Sequence, residues 1–285
     1  MTFIAPPPLP NIVLEPIVRL ALAEDLGRAG DLTTDATIPQ GTQLVAHIRA
    51  RQAGRLAGLD AATLALSLID PNVDLVVQKQ DGDVLAPGDV VAIMRGEARA
   101  ILIAERTMLN FLGRLSGIAT LTAQFADKIA HTKAKIVCTR KTTPGHRAVE
   151  KRAVRCGGGT SHRYGLDDAI LIKDNHIAAC GSIPDALKRA HAYAGHLRMI
   201  EIEVDSLDQL AEALPLKPHA VLLDNMEPDL LRQAVAMIDG QCLAEASGGI
   251  TLETVAAKAE SGVDYISSGA LTHSALNLDL GLDIL

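Results

Sequence analysis

The sequence predicts an α/β protein: a mixed α/β first half followed by a closed or nearly closed β/α barrel, and three observations lead there. Roughly the first 110 residues mix helical periodicity with turn-bounded alternating segments, whereas the rest alternates short apolar runs with helical stretches. Six such apolar runs occur, the signature of parallel strands buried on both faces. Each run ends in a polar or glycine-rich group, as strands converging on one functional face would. The 285 residues, 48% hydrophobic and 21% charged, can bury a sizeable core, which excludes a disordered chain and allows one or two domains.

Taken in order, IVLEPIVRLALAEDL after the proline stretch has helical spacing and stops before Gly27, a C-terminal glycine. GRAGDLTTD then reads as a polar loop, and Gln43 to Ala53 as a strand in which Leu44, Ala46 and Ile48 alternate. A helix is expected from Leu59, then short antiparallel strands with turns at Asp81-Gly82 and Pro87-Gly88. Ala98 to about Ala130 reads as a long helix broken near Ser116-Gly117 that joins the two halves. The barrel strands are expected at 135–139, 169–172, 199–204, 220–223, 242–246 and 263–267, with helices between most of them. An open doubly wound sheet is the alternative, because strand order is not written in one sequence. The expected division is residues 1–115 for the first domain and 116–271 for the barrel, with the tail 272–285 packing back on the first.

A net charge of −7 leaves no global positive field to hold nucleic acid or an anionic membrane. With 2% aromatic residues and no tryptophan, stacking platforms for single strands are not expected. No apolar run suits a membrane span and the first residues lack a secretory layout, so a cytoplasmic protein is expected. Cys138, Cys156, Cys180 and Cys242 fit neither a CxxC pair nor a disulfide framework and read as free thiols.

The strand ends carry the chemistry: Arg140 and Lys141, Lys173, Glu203, Asp224, Ser247-Gly248-Gly249 and Ser268-Gly269. One polar strand end means little, but six in a row favour a shared cleft. Between Thr139 and Lys173 eight basic side chains face three acidic ones, a cationic spot on an acidic chain, suited to a small polyanion. Arg140, Lys141, Arg163 and Lys173 flank strands or glycines, whereas Glu150, Lys151, Arg152 and Arg155 sit at helical spacing and read as an exposed or interfacial face. CGGGTSHRYGL lets backbone approach a ligand, although GxGxxG spacing is absent. SGGIT and SSGALT each follow a strand, the first leading into an expected helix, and two such loops favour a phosphate cradle over ordinary turns. The histidines lack paired metal-ligand spacing, and only His162 belongs in the site. Glu203 and Asp224 suit either lysine pairing or ribose hydroxyls with a hydrated magnesium ion; the second is favoured.

These segments resemble the quinolinate phosphoribosyltransferase family. The likeness is carried by EDLGRAGDLTTD, ERTMLNFLGRLSGIAT, TRKTTPGHRAVEKRAV with GGGTSHRYGL and LIKDNH, IEIEV, LLDNM, EASGGIT and GVDYISSGALTHS. Two positions depart from the family pattern: Cys138 where aspartate is usual and Ser161 where asparagine is usual. The resemblance implies an N-terminal α/β sandwich, an open β/α barrel of type II phosphoribosyltransferase kind, and a homo-oligomer, dimer or hexamer. It implies Mg2+-dependent transfer of phosphoribosyl from phosphoribosyl pyrophosphate to quinolinate with decarboxylation, giving nicotinate mononucleotide for NAD synthesis, with no organic cofactor. By the same resemblance, Arg140, His162, Arg163 and Lys173 hold the two carboxylates, beside Thr139, and Arg106 reaches in from the neighbouring subunit. Lys141 lies near the phosphoribosyl donor, and Glu203 and Asp224 face the ribose and magnesium. Ser247, Gly248 and Gly249, with Ser268, Gly269 and Ala270, take the 5-phosphate. Lys141, Lys173, Glu203 and Asp224 are the implied catalytic set. A phosphoribosyltransferase for another pyridine acid and a Schiff-base aldolase using Lys173 are the rival readings, and a phosphometabolite-binding barrel without catalysis is the third.

Overall fold

A computed structural model describes residues 6–285. The chain forms two compact units. The first runs to Ala123 and includes Thr142–Gly158 and Ser274–Leu285; the second comprises Gln124–Lys141 and Gly159–His273.

In the first unit, α1 (Asn11–Leu26) buries Leu14, Val18 and Leu22, one stripe at four-residue spacing, and packs against α3 (Leu59–Ile69). An antiparallel sheet runs in the order β12 (Leu280–Ile284), β1 (Gln43–Ala50), β5 (Val90–Glu97), β3 (Asp74–Val77), and a ribbon pairs β2 (Gly54–Arg55) with β4 (Val84–Leu85). Ala46, Ile48 and Ala50 alternate on the buried face of β1, and the C-terminal β12 returns to pair with it, Leu280 opposite Ala50.

Three expectations for this unit are corrected. The GRAGDLTTD loop contains a helix, α2 (Leu32–Thr37), because the Asp31 carboxylate caps it by accepting from the Thr34 amide at 3.0 Å. The Thr34 hydroxyl and amide bonds hold the Asp31 carboxyl below its ordinary range. Helix α4 (Ala98–Lys128) is unbroken at Ser116-Gly117. The Ser116 hydroxyl exchanges bonds with the Ala57 amide and carbonyl at 3.0 and 3.1 Å. Gly117 lies so near the Leu276 backbone that a Cβ would stand 1.9 Å from its carbonyl oxygen, so both small residues serve close packing rather than a break. Finally, Glu150, Lys151 and Arg152 on α5 (Arg147–Cys156) are buried instead of forming an exposed face. Glu150 accepts from the Thr143 amide and hydroxyl at 3.1 and 2.8 Å and from Arg114 at 3.2 Å. Arg152 pairs with Asp81, lies 3.4 Å from Asp60, and donates to the Pro7 carbonyl at 3.0 Å. Tertiary partners thus remove these charges from the cationic patch.

The second unit is a six-stranded parallel sheet, in the order β6 (Lys135–Val137), β11 (Tyr265–Ser267), β10 (Leu243–Ser247), β9 (Ala220–Asp224), β8 (Ile200–Val204), β7 (Ile170–Ile172). Neither β6 nor β7 pairs with the other, so the barrel is open; Thr160 makes one parallel bridge beside Val137 where a further strand would stand. Between strands lie α6 (Asp174–Cys180), α7 (Ile183–Tyr193), α8 (Leu207–Ala213) with a short 3-10 turn, α9 (Pro228–Ile238) and α10 (Val255–Ala259), and α11 (Ala270–His273) follows β11. Ser182 and Ser206 cap α7 and α8 through their hydroxyls. Successive residues Ala220 to Leu223 of β9 are all buried, as a strand covered on both faces requires. The helix expected directly after SGGIT shrinks to the five residues of α10, preceded by a turn. Among the described residues no helix is long and apolar enough to cross a membrane.

Candidate active site

Parallel strands deliver their C-terminal residues to one end of a sheet, and here those residues line one cavity of about 840 Å³. Thr139, Arg140 and Lys141 follow β6; Lys173 follows β7; Glu203 and Asp224 sit near the ends of β8 and β9; Ser247, Gly248 and Gly249 come from β10; Ser268, Gly269 and Ala270 follow β11. His162 and Arg163, from the segment after Thr160, complete the wall. Of the site residues expected from sequence, only Arg106 is not among the lining residues; it stands exposed on α4.

The cationic side is incompletely neutralised. Lys173 pairs with Glu203. Arg140, Lys141 and Arg163 form no ion pair among the described residues, and the buried Arg140 Nε has no hydrogen-bond partner. Burial, then the repulsion of Arg140, push the Arg163 guanidinium below its ordinary range; its Nη1 donates to the Ala169 carbonyl at 3.1 Å. Glu201 and Asp168 offset this only in part, and two neighbouring guanidiniums without an ion pair form a site that gains from an anion. The Lys141 backbone is fixed from both sides, its amide donating to the Thr139 hydroxyl at 3.0 Å and its carbonyl accepting from the Thr272 hydroxyl at 2.7 Å.

The glycine loops are built around their neighbours. Gly248 has φ +83°, and a Cβ there would lie 2.0 Å from Asn225 Oδ1. The Asn225 amide donates to the Ser247 carbonyl at 2.9 Å, which ties the loop after β9 to the loop after β10. Lys258 on α10, buried, donates to the Met226 and Gly248 carbonyls at 3.1 Å each, bracing both loops from below. In CGGGT the close approach at Gly157 is likewise to protein: a Cβ there would stand 2.3 Å from the Ala119 carbonyl oxygen. The Ser161 hydroxyl is buried without a partner among the described residues, and Cys138 is buried beside β6.

Three polar lining residues lie outside the strand ends and loops expected from sequence: Asn225, Glu245 and His273. Glu201, buried, lies beneath and bonds His162, whose Nε2 is 3.1 Å from its Oε2, while the Arg163 amide donates to His162 Nδ1 at 2.7 Å. Both ring nitrogens are thus turned to protein groups. The signal available for Glu201 was its i, i+2 spacing to Glu203, which puts both carboxylates on one face of β8.

An open β/α barrel with unpaired cations and glycine loops at its strand ends is the architecture of enzymes that handle small phosphorylated anions. Family models described as the quinolinate phosphoribosyl transferase N-terminal and C-terminal domains match residues 31–116 and 118–283. The chain is 44% identical to a probable nicotinate-nucleotide pyrophosphorylase [carboxylating] of Bacillus subtilis, covering 96% of this chain and 94% of that protein. It is 46% identical to the nicotinate-nucleotide pyrophosphorylase [carboxylating] of Mycobacterium leprae, covering 94% and 95%. The solved nicotinate-nucleotide pyrophosphorylase of Francisella tularensis superposes with a TM-score of 0.94 at 37% identity over 98% of each chain. The chain belongs to the quinolinate phosphoribosyltransferase family.

Proposed function

We propose that this chain transfers the phosphoribosyl group of phosphoribosyl pyrophosphate to the ring nitrogen of quinolinate, with loss of the adjacent carboxylate as carbon dioxide, giving nicotinate mononucleotide and pyrophosphate. The observation that carries the reading is the Arg140–Arg163 pair, two neighbouring guanidiniums that form no ion pair among the described residues, in a cavity that also holds two glycine loops. A ring bearing two neighbouring carboxylates supplies what that pair lacks. Arg140 and Arg163 take the carboxylates with Lys173, which keeps donors to spare beside Glu203, and with His162 and Thr139 alongside. An ammonium engaged by Glu203 has no lone pair for a carbonyl, which argues against Lys173 as a Schiff-base nucleophile.

Departure of pyrophosphate leaves positive charge on the ribose carbon, which Glu203 and Asp224 stabilise from the strand ends, while Lys141 attracts the leaving group. The 5-phosphate lies against Ser247, Gly248 and Gly249 and against Ser268, Gly269 and Ala270. Glu203 and Asp224 end adjacent strands and suit magnesium, a hard cation that keeps most of its waters and needs only one or two carboxylates plus phosphate oxygens. When bound it would neutralise charge on the pyrophosphate. Arg106, exposed and without a partner among the described residues, is the residue expected to enter a neighbouring subunit's site in a homo-oligomer. The test is to supply quinolinate, phosphoribosyl pyrophosphate and magnesium and measure pyrophosphate, carbon dioxide and nicotinate mononucleotide. All three should form, with nicotinate a much poorer acceptor; equal use of nicotinate would overturn the substrate assignment.

A further inference from the structure

The proposed chemistry leaves unused two buried carboxylates that face His162. Glu201 on β8 and Glu245 on β10 are 8% and 5% exposed, and His162 lies between them, its Nε2 3.1 Å from Glu201 Oε2 and 3.7 Å from Glu245 Oε2. One atom from each of the three falls within 4.8 Å of the others, the one such grouping of three metal-ligating side chains among the described residues.

A metal ion is the first candidate, and the hydrogen bonds argue against it. A ligating imidazole donates its second ring N–H to an acceptor, but His162 Nδ1 faces the Arg163 amide, a donor, at 2.7 Å. The ring proton therefore belongs on Nε2, pointing at the carboxylates, where a metal would have to sit. What the cluster does hold is a proton. Two buried carboxylates so close cannot both stay ionised cheaply. Burial first, and the Glu201 charge second, push the Glu245 carboxyl up to about 7; His162, a hydrogen bond with Ser267, and Lys173 oppose this without cancelling it. Glu245 also lines the cavity, and its Oε1 is buried without a hydrogen-bond partner among the described residues.

The reaction consumes a proton beside the carboxylate-binding side chains, of which His162 lies 3.7 Å from Glu245. When carbon dioxide leaves the ring carbon next to the nitrogen, the bonding pair stays on that carbon, and the product carries hydrogen there. We propose that Glu245 supplies this proton: its O–H bond breaks as the ring C–H bond forms, the Glu245 carboxylate is left, and water reprotonates it before the next turnover. His162 and Glu201 are positioning residues, which hold Glu245 in place and keep its proton from being lost to a free base. This inference rests on the reaction proposed above.

The test follows one turnover of the full-length protein with quinolinate, phosphoribosyl pyrophosphate and magnesium, recording pyrophosphate and nicotinate mononucleotide separately. In Glu245→Gln, pyrophosphate release should stay within about 3-fold of the unaltered protein while mononucleotide formation slows by about 100-fold, the range for loss of a general acid, and Glu245→Asp should recover part of it. The required form is the protonated one. Mononucleotide formation in the unaltered protein should therefore be full at low pH and fall as pH rises through about 7, and that limb should be missing in Glu245→Gln. Mononucleotide forming at the unaltered rate in Glu245→Gln, or both products slowing together in a folded variant, would overturn the proposal. Should Glu245→Gln not fold, a flat profile for the unaltered protein across roughly pH 6 to 9 overturns it equally, and a falling one supports it. Absence of pyrophosphate release by the unaltered protein would instead remove the proposed reaction itself.

Discussion

Gly248→Ala tests whether the loop after β10 is as rigid as its packing implies. The backbone there has φ +83°, which costs a residue with a Cβ about 1–2 kcal/mol. The new methyl would also lie 2.0 Å from Asn225 Oδ1 and 2.9 Å from the Asn225 backbone nitrogen. The side-chain oxygen can swing away, but the nitrogen is held by its bond to the Ser247 carbonyl, and Asn225 itself has φ +54°. Forcing extra volume into such a place adds about 1–3 kcal/mol, so the total loss should be about 2–5 kcal/mol. Gly249 is the internal comparison: its φ is +60°, but a Cβ there meets nothing within 4 Å, so Gly249→Ala should lose only the backbone cost of about 1–2 kcal/mol. With no tryptophan in the chain, urea unfolding is followed by far-ultraviolet circular dichroism, and the Michaelis constant for phosphoribosyl pyrophosphate is measured alongside. Equal stability losses in the two variants would refute the argument that Asn225 fixes this loop.

Arg140→Ala and Lys173→Ala should each remove turnover while changing unfolding stability by less than about 1 kcal/mol, since both side chains line the cavity rather than the core; near-normal turnover in either contradicts the assignment. Arg152→Met should do the reverse, losing about 3–5 kcal/mol in urea because Asp81 is left buried without its partner, and adding Asp81→Asn should recover part of that loss. Lys258→Met removes the donor to two loop carbonyls, so the Michaelis constant for phosphoribosyl pyrophosphate should rise about 10-fold, equivalent to about 1.4 kcal/mol and so only part of the two charge-assisted bonds lost, with the quinolinate constant moving less; an unchanged donor constant would show that the brace is dispensable.

The barrel was readable because buried parallel strands leave continuous apolar runs, as in AVLL and AILI, and because their polar ends fall on one face whatever the strand order. What local pattern misses is set by partners far away in the chain. Ser116-Gly117 looks like a helix break until Ala57 and Leu276 are seen to need small residues there. Lys151 and Arg152 look like solvated charges until Asp81 and Asp60 are placed beside Arg152. Glu245 gave a fainter signal, a single acid inside an otherwise apolar strand, and its meaning depends on Glu201 from another strand. Helix α2 was hidden for a local reason: its six residues are too few to show periodicity, and only the Asp31 cap marks it.

The most direct measurement is a crystal structure of the protein with quinolinate bound. Both carboxylates should lie within hydrogen-bond distance of Arg140, Arg163 and Lys173, with the ring nitrogen facing the glycine loops. Quinolinate bound elsewhere, or in the cavity with Arg140 and Arg163 turned away from it, would contradict the account.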